Sequence, residues 1–477
     1  MRQTIASGAA LAAAFLLSAP VARADDAPRP VQATEAAAPS AAPADVPAPA
    51  RDWLILHAGI RPRLATFGGI GTLAVAQGRV HHFYGVASFA TVRQDAGVFV
   101  GATEIALGQA NAERFYGVAQ LGLSKNLAGS FAGVAQLSLA HDEAETFGGV
   151  LQLAPYDRAG DFYGLAQVGG YDRVERDFVG ALQLGLAHDE ADRFRGIAQL
   201  SLAHAATRDF GGALQLAPYA HTNDFAGAVQ LGVFSRDDER FAGGFQLGLV
   251  NSVGSGSVFS HDHQDGSFTG LAQVGALNWN DGSFTGLVQV GLGNAATKSF
   301  TGLAQIGLVA SASQDATAPF EIGGLFSYAE RFHGLAQIGA VTWANKEVRG
   351  AQIGVVNVSS DHTGDVYGAQ LGGLDYSEDV RGAQIGLVNL TSENHYGVQI
   401  GAVDYGRDVR GAQLGVVNWA EKVHGIQIGV VNHADSLRGL QIGLVNHAED
   451  GSLVPWSTII NMGFGPEAGT APLAARN

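Results

Sequence analysis

The chain has no cysteine, two methionines and few charges: Asp, Glu, Lys and Arg together make up 15% of its 477 residues. Without cysteine there is neither a disulfide framework nor a thiolate metal site. No stretch reaches the roughly 18 consecutive apolar residues that mark a membrane-spanning helix. Basic residues are scarce, 28 Lys and Arg against 44 Asp and Glu, and the net charge of −16 speaks against nucleic acid as a partner. No G-x-S-x-G, phosphate-cradling loop or H-E-x-x-H occurs. The sequence therefore offers no catalytic, cofactor-binding or metal residues, and the chain reads as non-enzymatic.

What is abundant is glycine, 66 residues, arranged around a recurring glutamine. Taking Gln as position 0, the phase runs through Gln120, Gln136, Gln152, Gln167, Gln183, Gln199, Gln215, Gln230, Gln246, Gln273, Gln289, Gln305 and Gln337. It continues, more tightly spaced, through Gln352, Gln370, Gln384, Gln399, Gln413, Gln427 and Gln441. Glu104, Ser88 and Thr72 extend it backward, and Glu321 fills the gap before Gln337, giving 24 units. A second period of 63 residues is laid over the first: "AQLSLAH" at Gln136 returns at Gln199, and "LQLAPY" at Gln152 returns at Gln215. Internal periodicity of this kind overrides any estimate of domain number from length, and block duplication accounts for it.

Each unit is an apolar run of nine or ten residues followed by a few polar ones such as "HDEAET" or "HADSLR", which reads as one strand and one turn. Separated by parity, the odd positions carry Phe at −5, then Gly, Ala and a branched aliphatic at +1. Sixteen of the 24 Phe, from Phe67 to Phe332, occupy −5. The even positions carry Gln and small residues. Neither face holds the charges of a water-exposed sheet.

Two all-β architectures meet this pattern. The first is an antiparallel transmembrane β-barrel of about 26 strands, with outer-membrane lipid against the Phe face and Gln lining the interior. "WLILHAGI" (53–60) and "STIINMGF" (457–464) bring the strand number to an even one, and Tyr156, Tyr171, Trp279, Trp343, Tyr376, Tyr405 and Trp419 populate interfacial girdles. Uniformly short turns and the lack of lumen charges count against it. The alternative is a β-solenoid of 14–16-residue coils with a Gln ladder, in which Gly302 and Gly307 mark corners. Its difficulty is the missing polar outer face. The barrel is the primary expectation, with Phe115, Phe178 and Phe300 facing lipid.

Outside the repeat domain (51–464), residues 1–24 read as a secretory signal, with Arg2, an apolar run and "VARA" ending at Ala24. Residues 25–50 read as an Ala/Pro-rich linker and 465–477 as a flexible tail. These features predict export to the outer membrane or cell surface of a Gram-negative-type bacterium. The insertion at 251–267 gathers His261, Asp262, His263 and Asp265, which a loop explains better than a metal site. The "HDEA" segments at His141 and His188 are expected to be solvated turns.

"GAQIGLVNLTSENHYGVQIGAVDYGRDVRGAQLGVVNWAEKVHGIQIGVVNHADSLRGLQIGLVN" resembles the bacterial surface-repeat family built from tandem G-x-Q-[IL]-G-[LV]-[VL]-N units. The close match covers Gly350 to Asn446, and a looser form reaches back to Phe67. The resemblance implies an envelope or surface location and brings no catalytic residues. The functional expectation is a structural or pore-like barrel, with a secreted surface solenoid, an adhesin or interaction scaffold, as the alternative.

Overall fold

In the computed structural model, which describes residues 51–53, 55–254, 265–360 and 364–464, the polar segments form strands and the glycines of the apolar run form corners. One coil shows why. Ala119–Gly122 is a short strand and Lys125–Ala132 a longer one. Between the preceding strand, Gln109–Tyr116, and Ala119 the chain bends at Gly117 and Val118. A Cβ on Gly117 would lie 2.5 Å from the carbonyl oxygen of Gly101 and 2.8 Å from the ring of Phe115. Only glycine lets the backbone turn that tightly around the phenylalanine.

Pairing is parallel and in register between successive units. Ala119–Gly122 lies between Thr103–Ala106 and Ala135–Ser138, with Gln120 opposite Glu104 and Gln136. Lys125–Ala132 lies between Gln109–Tyr116 and His141–Gly148, with Phe131 opposite Phe115 and Phe147. Gly129 drops out of both ladders, so the long strand also bends. The result is a right-through stack of about 23 coils, a parallel β-solenoid that is 81% strand. Its last coil is closed by Trp456–Phe464, which runs antiparallel to Val431–Asp450.

The antiparallel barrel of about 26 strands is thereby overturned. Neighbouring units run in the same direction, and the sheet winds into coils instead of closing on itself. The error lies in the parity count, which treats positions −5 to +3 as one straight strand. The corner at −3 and −2 inserts a change of direction, so side chains five residues apart point to the same side. Phe115, Phe178, Phe300, Gln120, Gln183 and Gln305 are all buried. The phenylalanines pack inside rather than against lipid, and the glutamines line a packed core rather than a lumen.

Of the expected girdle residues, Tyr156, Tyr171 and Trp419 join ring stacks on the outside of the coils: Tyr156 lies over His141 at 4.6 Å between ring centroids and under Tyr171 at 5.1 Å, and Trp419 lies against His433 at 4.1 Å. "STIINMGF" is a strand as expected, but it serves as an end cap. The signal (1–24), linker (25–50) and tail (465–477) lie outside the described residues.

The core is a set of parallel rows. Phenylalanines from Phe67 to Phe300 stack one per coil, with consecutive rings 4.6 to 5.3 Å apart and nearly parallel. Alanines such as Ala112, Ala128 and Ala144 fill a second row. From Val348 onward the phenylalanine position is taken by Val348, Val366, Val380, Val409, Val423 and Leu437, and in one coil, between Val380 and Val409, by the buried His395. There the two-residue corner shrinks to a single glycine: Gly350, Gly368, Gly382, Gly397, Gly411, Gly425 and Gly439 have φ between 138° and 153°.

Candidate functional site

Two internal polar ladders and one external apolar face stand out as chemistry-bearing features. The glutamine ladder is a continuous chain of amide hydrogen bonds in which each Gln donates Nε2 to the Oε1 of the Gln one coil earlier. The distances are 2.9 Å for Gln136 to Gln120, 3.1 Å for Gln183 to Gln167 and 2.8 Å for Gln441 to Gln427. At its start Gln120 donates to Oε2 of Glu104 at 3.0 Å, and at its end Asn461 of the capping strand donates to Oε1 of Gln441 at 3.2 Å. Glu321 interrupts the series. Full burial pushes the carboxyls of Glu104 and Glu321 up to about 8, so both stand in neutral form in place of glutamine.

A second ladder of Asn and Asp runs beside it, and its donors point the other way. Asn278 Nδ2 donates to Asn294 Oδ1 at 2.8 Å, and Asn432 Nδ2 to Asn446 Oδ1 at 2.7 Å. The second amide hydrogen reaches a backbone carbonyl of the next coil, Val290 for Asn278 and Ile442 for Asn432. In the N-terminal third of the rod four consecutive members are aspartates: Asp142, Asp157, Asp172 and Asp189, all buried. Burial raises the Asp142 carboxyl to about 7. Asp157 and Asp172 are raised further, by burial first and by the adjacent carboxyl next. Asp375 and Asp404, set among asparagines, are lifted only to about 6. At Asp157, Asp172 and Asp189 a protonated Asp substitutes for Asn.

The "HDEA" segments are therefore not solvated turns. His141 begins the strand His141–Gly148, its ring part of the outer stack, while Asp142 enters the core. Polar residues looked like turn residues because solenoid coils bury a polar row. Of the insertion residues, His261, Asp262 and His263 lie outside the described residues, and Asp265 pairs with Lys298. Among the described residues no group of three His, Asp or Glu side chains is arranged to hold a metal ion. A groove of about 980 Å³ along the bend at Gly97 and Gly129 carries Asp95, Glu143 and Glu175, but Arg79 and Arg158 already pair with them. Glu113, Glu145 and Arg176 line it too, so five carboxylates face three guanidinium groups.

The external feature is the short-strand face. In every coil from Ile70–Val75 to Gly439–Leu444, positions −2 to +3 contain no Lys, Arg, His or Asp, and the two glutamates among them, Glu104 and Glu321, are buried. What points outward is Leu, Ile or Val at +1 in nearly every coil and at +3 in most, and at −2 in many coils before Val348, whereas −2 is the corner glycine from Gly350 onward. Leu139, Leu202 and Leu444 are 71%, 67% and 68% exposed. A shallow apolar groove of about 630 Å³ follows the edge of this face past Leu271, Leu287, Leu303 and Leu335.

The apolar face expected from the sequence included the +1 and +3 residues, which do point outward, but it also took in Phe at −5, which is buried, and left out −2. Reading the units as bent coils would have shown that the −2 and +3 residues flank the corners and point out.

No family model, curated protein or solved structure matches the chain.

Proposed function

We propose that the chain is an exported, non-enzymatic repeat protein of the bacterial cell surface that works as a rigid β-solenoid scaffold for interaction. The observation that carries this reading is the uncharged outer face running the length of the rod. Monomeric soluble proteins rarely expose contiguous apolar patches beyond a few hundred Å², and larger ones mark interaction surfaces. The leader-like segment ending at Ala24 and the resemblance of Gly350 to Asn446 to surface-repeat proteins support export and a surface position.

Fractionation tests this. In cells carrying the full chain, the protein is expected outside the cytoplasm, open to added protease in intact cells, and released from envelopes by carbonate or urea without detergent. Retention in the cytoplasm would refute the surface assignment.

A further inference from the structure

We infer that the occupant of the apolar face is a second copy of this chain, packed face to face along the rod. The inference rests on the scaffold reading above and names its partner.

Size is the first argument. With strands about 4.8 Å apart and residues about 3.3 Å apart, about 23 coils of six residues make a face roughly 110 Å by 17 Å. A dimer through it buries roughly 3,700 Å² in total, inside the range of about 2,000–5,000 Å² of obligate homodimers.

Shape is the second. In many coils before Val348 the rows at −2 and +3 stand high, with Ile197 at 63% and Leu186 at 64% exposure, and a lower −1 row, often Ala, lies between them; from Gly350 onward −2 is the corner glycine and the +3 row stands alone. Ridges of one copy meet troughs of another at the same one-coil period.

Charge favours a copy over a bilayer. The net charge of −16 opposes anionic headgroups, while face-to-face pairing leaves the acidic faces outward. An Arg and Tyr row that would suit headgroups, with Arg381 over Tyr367 at 4.9 Å and Arg410 over Tyr396 at 5.3 Å, flanks the face only in the C-terminal coils.

The experiment measures the mass of the purified full-length repeat protein by sedimentation equilibrium over a hundredfold concentration range. A parallel arm mixes it with vesicles of phosphatidylcholine containing one third phosphatidylglycerol. The wild type is expected to be a dimer that does not float with vesicles. The triple variant Leu186→Glu, Ile197→Glu, Leu202→Glu is expected to be a monomer with an unchanged far-ultraviolet circular dichroism spectrum, because all three side chains are exposed in one copy. A second pair, Leu292→Glu with Leu308→Glu, gives the same readout in other coils and decides the matter if the triple variant unfolds.

A wild-type monomer, or a folded variant that stays dimeric, overturns the inference. A wild-type monomer that floats with vesicles overturns it in favour of lipid and leaves the scaffold reading standing. Cytoplasmic retention in the fractionation experiment removes the scaffold reading whatever the mass.

Discussion

The coils up to Phe332 and those from Val348 onward solve one problem in two ways. Both turn the chain between a buried side chain at the end of the long strand and the buried glutamine. The first group places Phe five residues before Gln and turns over two residues, a glycine under the ring and an aliphatic that points out. The second places a smaller residue, mostly Val with His395 and Leu437 as exceptions, four residues before Gln and turns on one glycine in a conformation closed to other residues. A smaller core residue thus accompanies a shorter perimeter, and the coil length drops from 15 or 16 towards 14. The asparagine row is also more regular in the second group, where Asn357, Asn389, Asn418, Asn432 and Asn446 alternate only with Asp375 and Asp404. The size of one side chain sets the corner, and the corner sets the repeat length.

The largest effect expected from breaking this correspondence is at the corner glycines. Gly411→Ala puts a Cβ 1.9 Å from the Gly397 carbonyl oxygen at φ 151°, and is expected to cost more than about 3 kcal/mol. Gly117→Ala meets a ring as well as a backbone oxygen, so adding Phe115→Leu should recover part of its loss. No neighbour substitution should rescue Gly411→Ala. Local hydrogen exchange around each coil measures both, and equal rescue in the two regions would break the distinction.

Core truncation comes next. Phe178→Ala is expected to cost about 3–5 kcal/mol and Val409→Ala about 2 kcal/mol, read as lost exchange protection in the adjoining coils. Equal losses would mean that the perimeter of the long coils is not filled by the ring.

The buried carboxyls separate the regions by pH. Their folded-state pKa values are raised, so the folded form keeps protons that the unfolded chain releases near pH 4. Their contribution is fully present below that pH and is lost as pH rises through the folded values. For Asp375 and Asp404 the loss is complete a little above pH 6, whereas for Asp142, Asp157, Asp172 and Asp189 it continues beyond pH 7. Exchange protection between pH 5 and 9 should therefore fall further in the aspartate coils. The double variant Asp157→Asn, Asp172→Asn should flatten that fall, and an unchanged profile would remove these carboxyls as its cause.

The smallest contrast is within the glutamine ladder. Gln183→Leu orphans the Oε1 of Gln167 and the Nε2 of Gln199, each buried, for a cost of about 2–3 kcal/mol. Gln305→Leu, beside the interruption at Glu321, orphans only Gln289 Oε1 and should cost about 1 kcal/mol. Thermal unfolding of the two variants orders them.

The repeat phase was legible in the sequence because in-register stacking demands the same residue type at the same place in every coil. That is why Glu104 and Glu321, aligned with the glutamines by spacing alone, do lie opposite Gln120 and Gln305. Strand direction was not legible, since an apolar run crossing a membrane and one crossing a corner share composition. Burial of Asp142 was hidden for a related reason: charge in a sequence reads as exposure until a neighbouring coil is seen to supply the hydrogen bond, here from Asn126 Nδ2 at 2.7 Å. The apolar outer face was hidden because its leucines and the core phenylalanines belong to the same run. Only the bend separates them.

The reversed final strand bears on how far such a rod can grow. Every internal coil presents the next one with an edge that accepts an identical copy, which is the geometry by which fibrils recruit monomers. Trp456–Phe464 covers the last of these edges with a strand of opposite polarity, so the first coil of another molecule finds donors and acceptors in the wrong order. Elongation stops at one chain length, and the number of encoded repeats becomes a molecular ruler.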